Sequence, residues 1–173
     1  DELETLVQHD IPYEIVPGIT AALGAAAYAG MPLTARNYST AVRFLTAYKS
    51  DVVSEEYWKE LAQTDDTLVF YMSSETVAHV VKQLTKYGIA AEKQLAIVEQ
   101  ATTPNQQVYT SSLYEFSERL EGRKFLSPSL VIIGKVVALH EQFQWLPAAN
   151  ETVEYFKSET IVTNENEQLA LTA

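Results

Sequence analysis

The chain has 173 residues, 47% of them hydrophobic, which is enough to bury the core of one domain. Its 12 basic and 23 acidic side chains give a net charge of −11, which disfavours nucleic acids and anionic membranes as partners. It has no cysteine, hence no disulfide or thiolate metal site, and no apolar run approaching the about 20 residues of a membrane span. We expect a soluble, cytoplasmic protein.

The first third of the chain contains a glycine- and alanine-rich segment. A helix is predicted over residues 2–9, followed by a short strand over Tyr13–Val16 that the Pro-Gly pair ends. Thr20 can cap a second helix over about residues 21–29, and the Gly-Met-Pro sequence at 30–32 ends it. This helix has almost no side-chain bulk, which indicates that either a ligand or a packed sheet lies close to its backbone.

The rest of the chain alternates strands with helices. Strands are predicted at 42–46, 67–72, 94–99, 106–111 and 129–133, and helices at about 54–61, 73–87 and 112–120. This order predicts an α/β fold, a sheet with flanking helices. The strands at 94–99 and 106–111 are expected to pair antiparallel, which makes the sheet mixed.

Six segments carry a family resemblance. They are DELETL at 1–6, VPGITAA at 16–22, YAGMPLT at 28–34, TLVFYM at 67–72, VEQATT at 98–103 and SPSLVIIGKVVAL at 127–139. In this order and spacing they resemble the uroporphyrinogen-III C-methyltransferases of the tetrapyrrole methylase family. The resemblance implies the C-terminal domain of that fold over residues 18–146, preceded by the end of an N-terminal domain and a linker at 1–17. Residues 147–173 lie beyond it, and their acidic composition predicts a poorly structured or partner-dependent tail.

The resemblance also implies that the chain binds S-adenosylmethionine as methyl donor. Thr20 and Ala21 match a donor-contacting Thr-Ala pair, Met72 matches a methionine that packs on the adenosine portion, and Ala101 matches a glycine whose backbone meets the donor. Without the resemblance, Thr20 is expected to be a helix cap, Ala21 a packing residue and Met72 a core methionine. The implied donor positions are Pro17, Gly18, Thr20, Ala21, Met72 and Ala101.

The chain departs from the family pattern around this cleft. Ser73 and Ala101 stand where glycine is usual, Ala35 replaces a histidine, and the Ala-Tyr pair at 47–48 replaces Gly-His. Alanine resists a positive φ, so Ala101 weakens donor binding if its position requires that conformation.

The tetrapyrrole side of the cleft is assigned by the resemblance to Tyr28, Thr34 and Arg36, with Tyr71 as a further candidate. Each of these residues alone is more often structural than functional. The chain is acidic, so a polycarboxylate substrate needs local positive charge, and Arg36, Arg43 and Lys49 form the early basic cluster that can supply it.

The reaction implied is transfer of methyl groups to two pyrrole carbons of uroporphyrinogen III, giving precorrin-2. The acid and base residues assigned to this chemistry in the family lie upstream of Asp1, so no catalytic residue is assigned and the chain is expected to be an inactive fragment by itself. The isolated His9, His79 and His140 predict no metal site.

Family members form homodimers, and the helix bearing Tyr28 and Met31 is the candidate contact. Two alternatives stay open: another tetrapyrrole methylase with a different substrate, and a non-catalytic module derived from one.

Overall fold

The core of the fold is one mixed β-sheet, seen in a computed structural model that describes residues 2–46, 53–71 and 76–146. Its strands are β1 (Val42–Thr46), β2 (Thr67–Tyr71), β3 (Gln94–Glu99), β4 (Gln107–Ser112) and β5 (Ser129–Gly134). They lie in the order β1-β2-β5-β3-β4. β1 and β2 are parallel, β5 is antiparallel to both β2 and β3, and β4 is antiparallel to β3. The predicted mixed α/β architecture is confirmed.

The strand directions define two edges of the sheet. β1, β2 and β3 all run the same way, so their C-terminal ends meet at one edge, which we call the carboxyl edge. Their N-terminal ends form the opposite, amino edge. In open α/β sheets, ligands bind outside the carboxyl ends of the strands, which makes the carboxyl edge the place to look for a site.

Helices cover both faces of the sheet. The described helices are α1 (Glu2–Gln8), α2 (Ala21–Tyr28), α3 (Glu55–Gln63), α4 (Val77–Lys86), α5 (Phe116–Arg119) and α6 (His140–Phe143). Successive strand residues point to opposite faces, so Val69 and Ile132 pack under α2, while Phe70 and Ile133 pack under α3, α4 and α5. The continuous apolar strands predicted from the sequence are buried on both sides for this reason.

Helix α2 lies close to the sheet because its inward side chains are only methyl groups. Ala22, Ala25 and Ala26 are buried, and they pack with Val69 and Ala96 of the strands. Eight residues are too few for a stable isolated helix, so the position of α2 depends on contacts with other elements.

The C-terminal part of the described chain holds the end of α2. After β5, a 3₁₀-helix (Lys135–Leu139) leads into α6. His140 Nδ1 donates to the carbonyl of Ala29 at 2.5 Å, and Trp145 Nε1 donates to that of Ala27 at 2.9 Å. These bonds anchor the carboxyl end of α2, where the carbonyls lack the partners of a continuing helix; the Ala27 carbonyl also accepts from Gly30 N at 3.2 Å.

Two predicted elements differ from the structure. The strand expected at Tyr13–Val16 is not formed: residues 11–20 have no regular structure. Pro12 and Pro17 flank this four-residue stretch, and neither can donate a ladder hydrogen bond. The helix expected over 112–120 is also wrong in extent, because β4 runs to Ser112, whose hydroxyl accepts from Tyr114 N and starts a 3₁₀ turn before the short α5.

The predicted end of helix α4 agrees with the structure. Gly88 ends α4 with φ +74, as predicted, whereas the expected start at residues 73–75 lies outside the described residues.

Of the two residues expected at a dimer contact, Met31 is 2% exposed and packs in the core under α2, so it is not available to a second chain. Tyr28 is 38% exposed, with its ring 5.4 Å from that of Trp145. The predicted tail at 147–173 also lies outside the described residues.

The amino edge is fixed by ion pairs. Arg43 bonds Glu60 at 2.6 Å and Asp66 at 2.5 Å, and these two carboxylates raise the pKa of its guanidinium. Lys93 is buried and donates to the carbonyl of Thr64, and burial lowers the pKa of its amine. Arg43 is thus paired with carboxylates at the amino edge, so its charge does not contribute to the predicted basic cluster. Lys49 lies outside the described residues.

Replacement of Gly30 by alanine is expected to destabilise the fold. Gly30 has φ +64, and a Cβ there would lie 2.2 Å from the carbonyl oxygen of Phe143. Left-handed backbone and overpacking together predict a loss of about 2–5 kcal/mol in the free energy of unfolding, measurable by urea denaturation. Gly88→Ala is the matched control, because φ is +74 but a Cβ meets nothing within 4 Å. Equal losses in the two variants would contradict the contact with α6.

Candidate functional site

The N-terminus of α2 meets the end of β2 at the carboxyl edge. The Tyr71 hydroxyl shares a hydrogen bond with the Thr20 hydroxyl and accepts another from the backbone N–H of Ala22 at 3.1 Å. Phe44, in β1, lies edge-on to the Tyr71 ring at 6.4 Å. Thr20 and the end of β2 are therefore on the same side of the sheet, which a common ligand site requires. Met72, the next residue after Tyr71, lies outside the described residues.

Thr20 differs from the expected helix cap. Its backbone is extended, with φ −63 and ψ 143, and its carbonyl accepts from Leu23 N at 3.0 Å, as an N-cap residue does. Its side chain makes no capping bond to α2 and pairs instead with Tyr71. The backbone N–H of Ala22 in the first turn is thus satisfied by the Tyr71 hydroxyl. Tyr71 was expected on the tetrapyrrole side of the cleft.

The segment that leads into α2 is open. Residues 11–21 are exposed, and a Cβ at Gly18 would have nothing within 4 Å. Pro17, Gly18 and Ala21 therefore present accessible backbone beside the two hydroxyls. A ligand at this place would find hydroxyl groups, helix N–H groups and little side-chain bulk.

The loop of residues 100–106, which joins β3 to β4, forms the second wall. Gln100 has φ +46 and Thr102 has φ +69, while Ala101 between them does not have a positive φ. Alanine at this position is consequently not strained, and the conformational reason to expect weakened donor binding does not apply. Ala101 packs against the residues under α2, and a Cβ at Gly24 would lie 3.3 Å from Thr102 Cγ2, so this loop lies beside α2.

Of the residues assigned to the substrate side, Tyr71 is brought to this place, whereas Tyr28, Thr34 and Arg36 are not. Tyr28 lies at the far end of α2, about 10 Å along its axis from Ala21. Thr34 and Arg36 are exposed in a turn closed by backbone bonds between Ala35 and Ser39. The Ser39 hydroxyl accepts from the N–H of Thr67, the first residue of β2, so this turn lies at the amino edge.

A buried carboxylate that the sequence analysis did not single out lies at the carboxyl edge on the other face. Glu99 is 1% exposed, and its Oε1 accepts from Leu126 N at 2.6 Å. Burial raises the pKa of this carboxyl, while the bond from Leu126 N and the charge of Arg123 act in the opposite direction. The signal in the sequence is an acidic residue that directly follows four apolar residues at the end of strand β3. Its role is to hold the chain just before β5.

The three histidines lie on separate elements. His9 bonds the carbonyl of Thr5, His79 packs against Trp58, and His140 bonds Ala29. Within residues 2–46, 53–71 and 76–146, no group of three or more His, Cys, Asp or Glu side chains is placed to hold a metal ion. No helix of that part of the chain is long and apolar enough to cross a membrane.

The chain matches one family model and curated proteins along most of its length. Residues 1–117 match the family model of Tetrapyrrole (Corrin/Porphyrin) Methylases. Siroheme synthase of Pseudomonas fluorescens (strain SBW25) is 42% identical over 153 residues, which cover 88% of this chain and 33% of the relative. The chain thus spans about a third of the length of this curated relative.

Solved structures show the same fold. Uroporphyrin-III C-methyl transferase from Thermus thermophilus, complexed with S-adenyl homocysteine, has a TM-score of 0.64 and 28% identity, over 80% of this chain and 59% of that one. Cobalt precorrin-4 methyltransferase has a TM-score of 0.67 at 23% identity, over 80% of this chain and 57% of that one, and it supports the fold alone.

The buried Glu99 makes a pH dependence testable. Because burial raises its pKa in the folded state, its contribution to stability is greatest at low pH and is lost as pH rises through that pKa. We expect Glu99→Gln, which keeps an oxygen for Leu126 N, to gain stability relative to the natural chain as pH rises from 4 to 8. Urea denaturation across this range measures the difference.

The control for this comparison is Glu121→Gln, at an exposed acidic residue in the segment between α5 and β5. Its stability is expected to track that of the natural chain at every pH. A Glu99→Gln difference that stays constant with pH, or that falls as pH rises, would refute the raised pKa.

Proposed function

The chain belongs to the tetrapyrrole methylase family, and we propose that it is the S-adenosylmethionine-binding part of a uroporphyrinogen-III C-methyltransferase, which makes precorrin-2 on the route to siroheme or cobalamin. The observation that carries this proposal is the contact of Thr20 and Ala22 with Tyr71, because it joins the N-terminus of α2 to the end of β2. It supports the proposal because it brings two segments of the resemblance, residues 16–22 and 67–71, together at the carboxyl edge.

The chemistry of this site suits the polar and aromatic parts of an adenosyl sulfonium donor. The proposed contacts are Pro17, Gly18, Thr20, Ala21, Met72 and Ala101. Hydroxyl and backbone N–H groups at the start of α2 can bond the donor's hydroxyl and carboxylate oxygens, and the small Ala101 allows its backbone to approach closely. In the free protein, the Thr20 hydroxyl and the Ala22 N–H bond Tyr71, so a donor that uses either group competes with that phenol.

The part played by these residues in methyl transfer is orientation. The bound donor supplies an electrophilic methyl group, whose carbon–sulfur bond breaks as a bond forms to a pyrrole carbon. The α2 N-terminus and the 100–106 loop would hold that donor in one pose, and such positioning supplies up to about 7–11 kcal/mol in favourable cases. No residue of this chain is assigned to remove the proton from the methylated carbon.

The proposal extends to a homodimer that works in the cytoplasm. Support for an interface comes from the segment between α1 and α2, where Ile15, Val16 and Ile19 are 70%, 79% and 84% exposed. Such a run of apolar side chains is typical of a surface that another polypeptide covers. Sedimentation equilibrium of the chain tests this, and a monomer at all concentrations would contradict it.

Donor binding is tested by calorimetric titration with S-adenosylhomocysteine. We expect saturable binding with one site per chain, and competition by S-adenosylmethionine. The titration is repeated on a polypeptide that adds, before Asp1, the part of the Thermus enzyme that this chain does not cover. Absence of binding in both polypeptides would refute the proposal.

Removal of the Thr20 hydroxyl is expected to weaken donor binding. In Thr20→Val the side chain keeps its size but loses its hydrogen bond, so the dissociation constant for S-adenosylhomocysteine rises about fivefold. Thr85→Val is the matched control, because the Thr85 hydroxyl bonds Val81 O within α4, on the opposite face of the sheet. Equal dissociation constants for the natural chain and Thr20→Val would exclude Thr20 from the site.

A further inference from the structure

One buried side chain connects the two walls of the candidate site. Gln106 is 8% exposed. Its Oε1 accepts from the N–H of Thr102 at 2.9 Å, and its Nε2 donates to the carbonyl of Tyr28 at 3.2 Å. The first bond lies within the 100–106 loop and the second reaches the C-terminus of α2. A single amide thereby links the loop that carries Ala101 to the helix that follows Thr20.

The loop needs a restraint because its conformation is strained. Thr102 is β-branched and has φ +69, a region that costs roughly 1–2 kcal/mol for such residues. Strained backbone persists only where the surrounding structure fixes it. The Gln106 carbonyl oxygen accepts from Thr102 N, and this bond opposes a return of Thr102 to an ordinary conformation.

Gln100 N donates to Pro128 O at 2.8 Å, which ties the start of the loop to the segment before β5, and further bonds lie within the loop. Thr103 Oγ1 donates to Gln100 O at 2.8 Å, and Gln106 N donates to Thr103 O at 3.1 Å. These bonds shape the turn but do not set its distance from α2. The bond from Gln106 Nε2 to Tyr28 O does, and it is complemented by the close approach of Thr102 Cγ2 to Gly24.

We infer that Gln106 is a positioning residue, which holds the 100–106 loop at a fixed distance from α2 so that the donor meets a preorganised site. This inference rests on the proposed function, because the two walls have to contact the same ligand. Preorganisation increases affinity by reducing the ordering that binding would otherwise require. Loss of the amide should therefore weaken donor binding in a protein that remains folded.

The test compares Gln106→Leu with Gln106→Glu and a control, Gln144→Leu. Glutamate keeps an acceptor for Thr102 N but cannot donate to Tyr28 O, so it retains half of the linkage. Gln144 is an exposed glutamine that lines the same 260 Å³ cavity as Gln106. For each variant, calorimetry gives the dissociation constant for S-adenosylhomocysteine, hydrogen exchange gives the protection of the Thr102 amide, and thermal unfolding gives Tm.

The expected result is a dissociation constant raised roughly tenfold in Gln106→Leu, the loss expected for two hydrogen bonds, with faster exchange at Thr102. Gln106→Glu should lie between this variant and the natural chain, and Gln144→Leu should match the natural chain. A lower Tm with an unchanged dissociation constant would overturn the inference, as would unchanged exchange at Thr102. Absence of binding by the natural chain refutes the proposed function instead, and exchange at Thr102 still tests the restraint on the loop.

Discussion

The position of α2 is the constraint on which the rest of the site depends. This helix has eight residues, and its buried side chains are alanines, so neither its length nor its apolar area can hold it in place. Side chains from distant parts of the chain bond both of its ends. Tyr71 satisfies an N–H at the start, and Gln106, His140 and Trp145 satisfy three consecutive carbonyls at the end. The open segment before Ala21 is held by these bonds to the helix and by the bond of Thr20 to Tyr71.

Because the residues of α2 are small, the helix needs hydrogen bonds at its ends, and its backbone can lie close to the sheet. With methyl groups facing the sheet, the helix backbone approaches β2 and β5 closely, and Gly24 leaves room for the side chain of Thr102. A helix with larger apolar side chains would bury more apolar area, but its backbone would lie farther from the sheet. The hydrogen bonds at the two ends replace stability that larger side chains would have contributed through burial.

The sequence predicted the parts of this fold that follow from local pattern. The apolar runs that begin at Thr67, Gln94 and Ser129 form the central strands β2, β3 and β5, and Gly88 ends α4, because burial and left-handed turns each leave a local signal. The strand expected at Tyr13–Val16 is not formed because prolines flank this four-residue stretch on both sides and neither can donate a ladder hydrogen bond. The roles of Glu99 and Gln106 depend on partners 27 and 78 positions away, and no periodicity reports such pairs. The family resemblance pointed to Thr20 and Ala101, but not to Tyr71 as the group bonded to Thr20.

The charges around the candidate site suit one of the two ligands of the proposed function, the adenosyl donor, and not the other, a polycarboxylate. Around Thr20, Tyr71 and Ala101 the described groups are neutral hydroxyls and amides, which suit an adenosyl ligand. A polycarboxylate requires cations, because hydrogen bonds from charged donors are the strong ones for carboxylates.

The described cations that could serve that purpose are already occupied or distant from this site. Arg43 is paired with Glu60 and Asp66 at the amino edge, and Arg36 lies in a turn next to that edge. Arg123 is on the face opposite α2, stacked on the ring of Tyr109 at 4.0 Å. The arrangement of charge at the carboxyl edge therefore fits the proposed orientation of a donor, whereas the tetrapyrrole of the proposed function, a polyanion facing a net charge of −11, requires cations other than these.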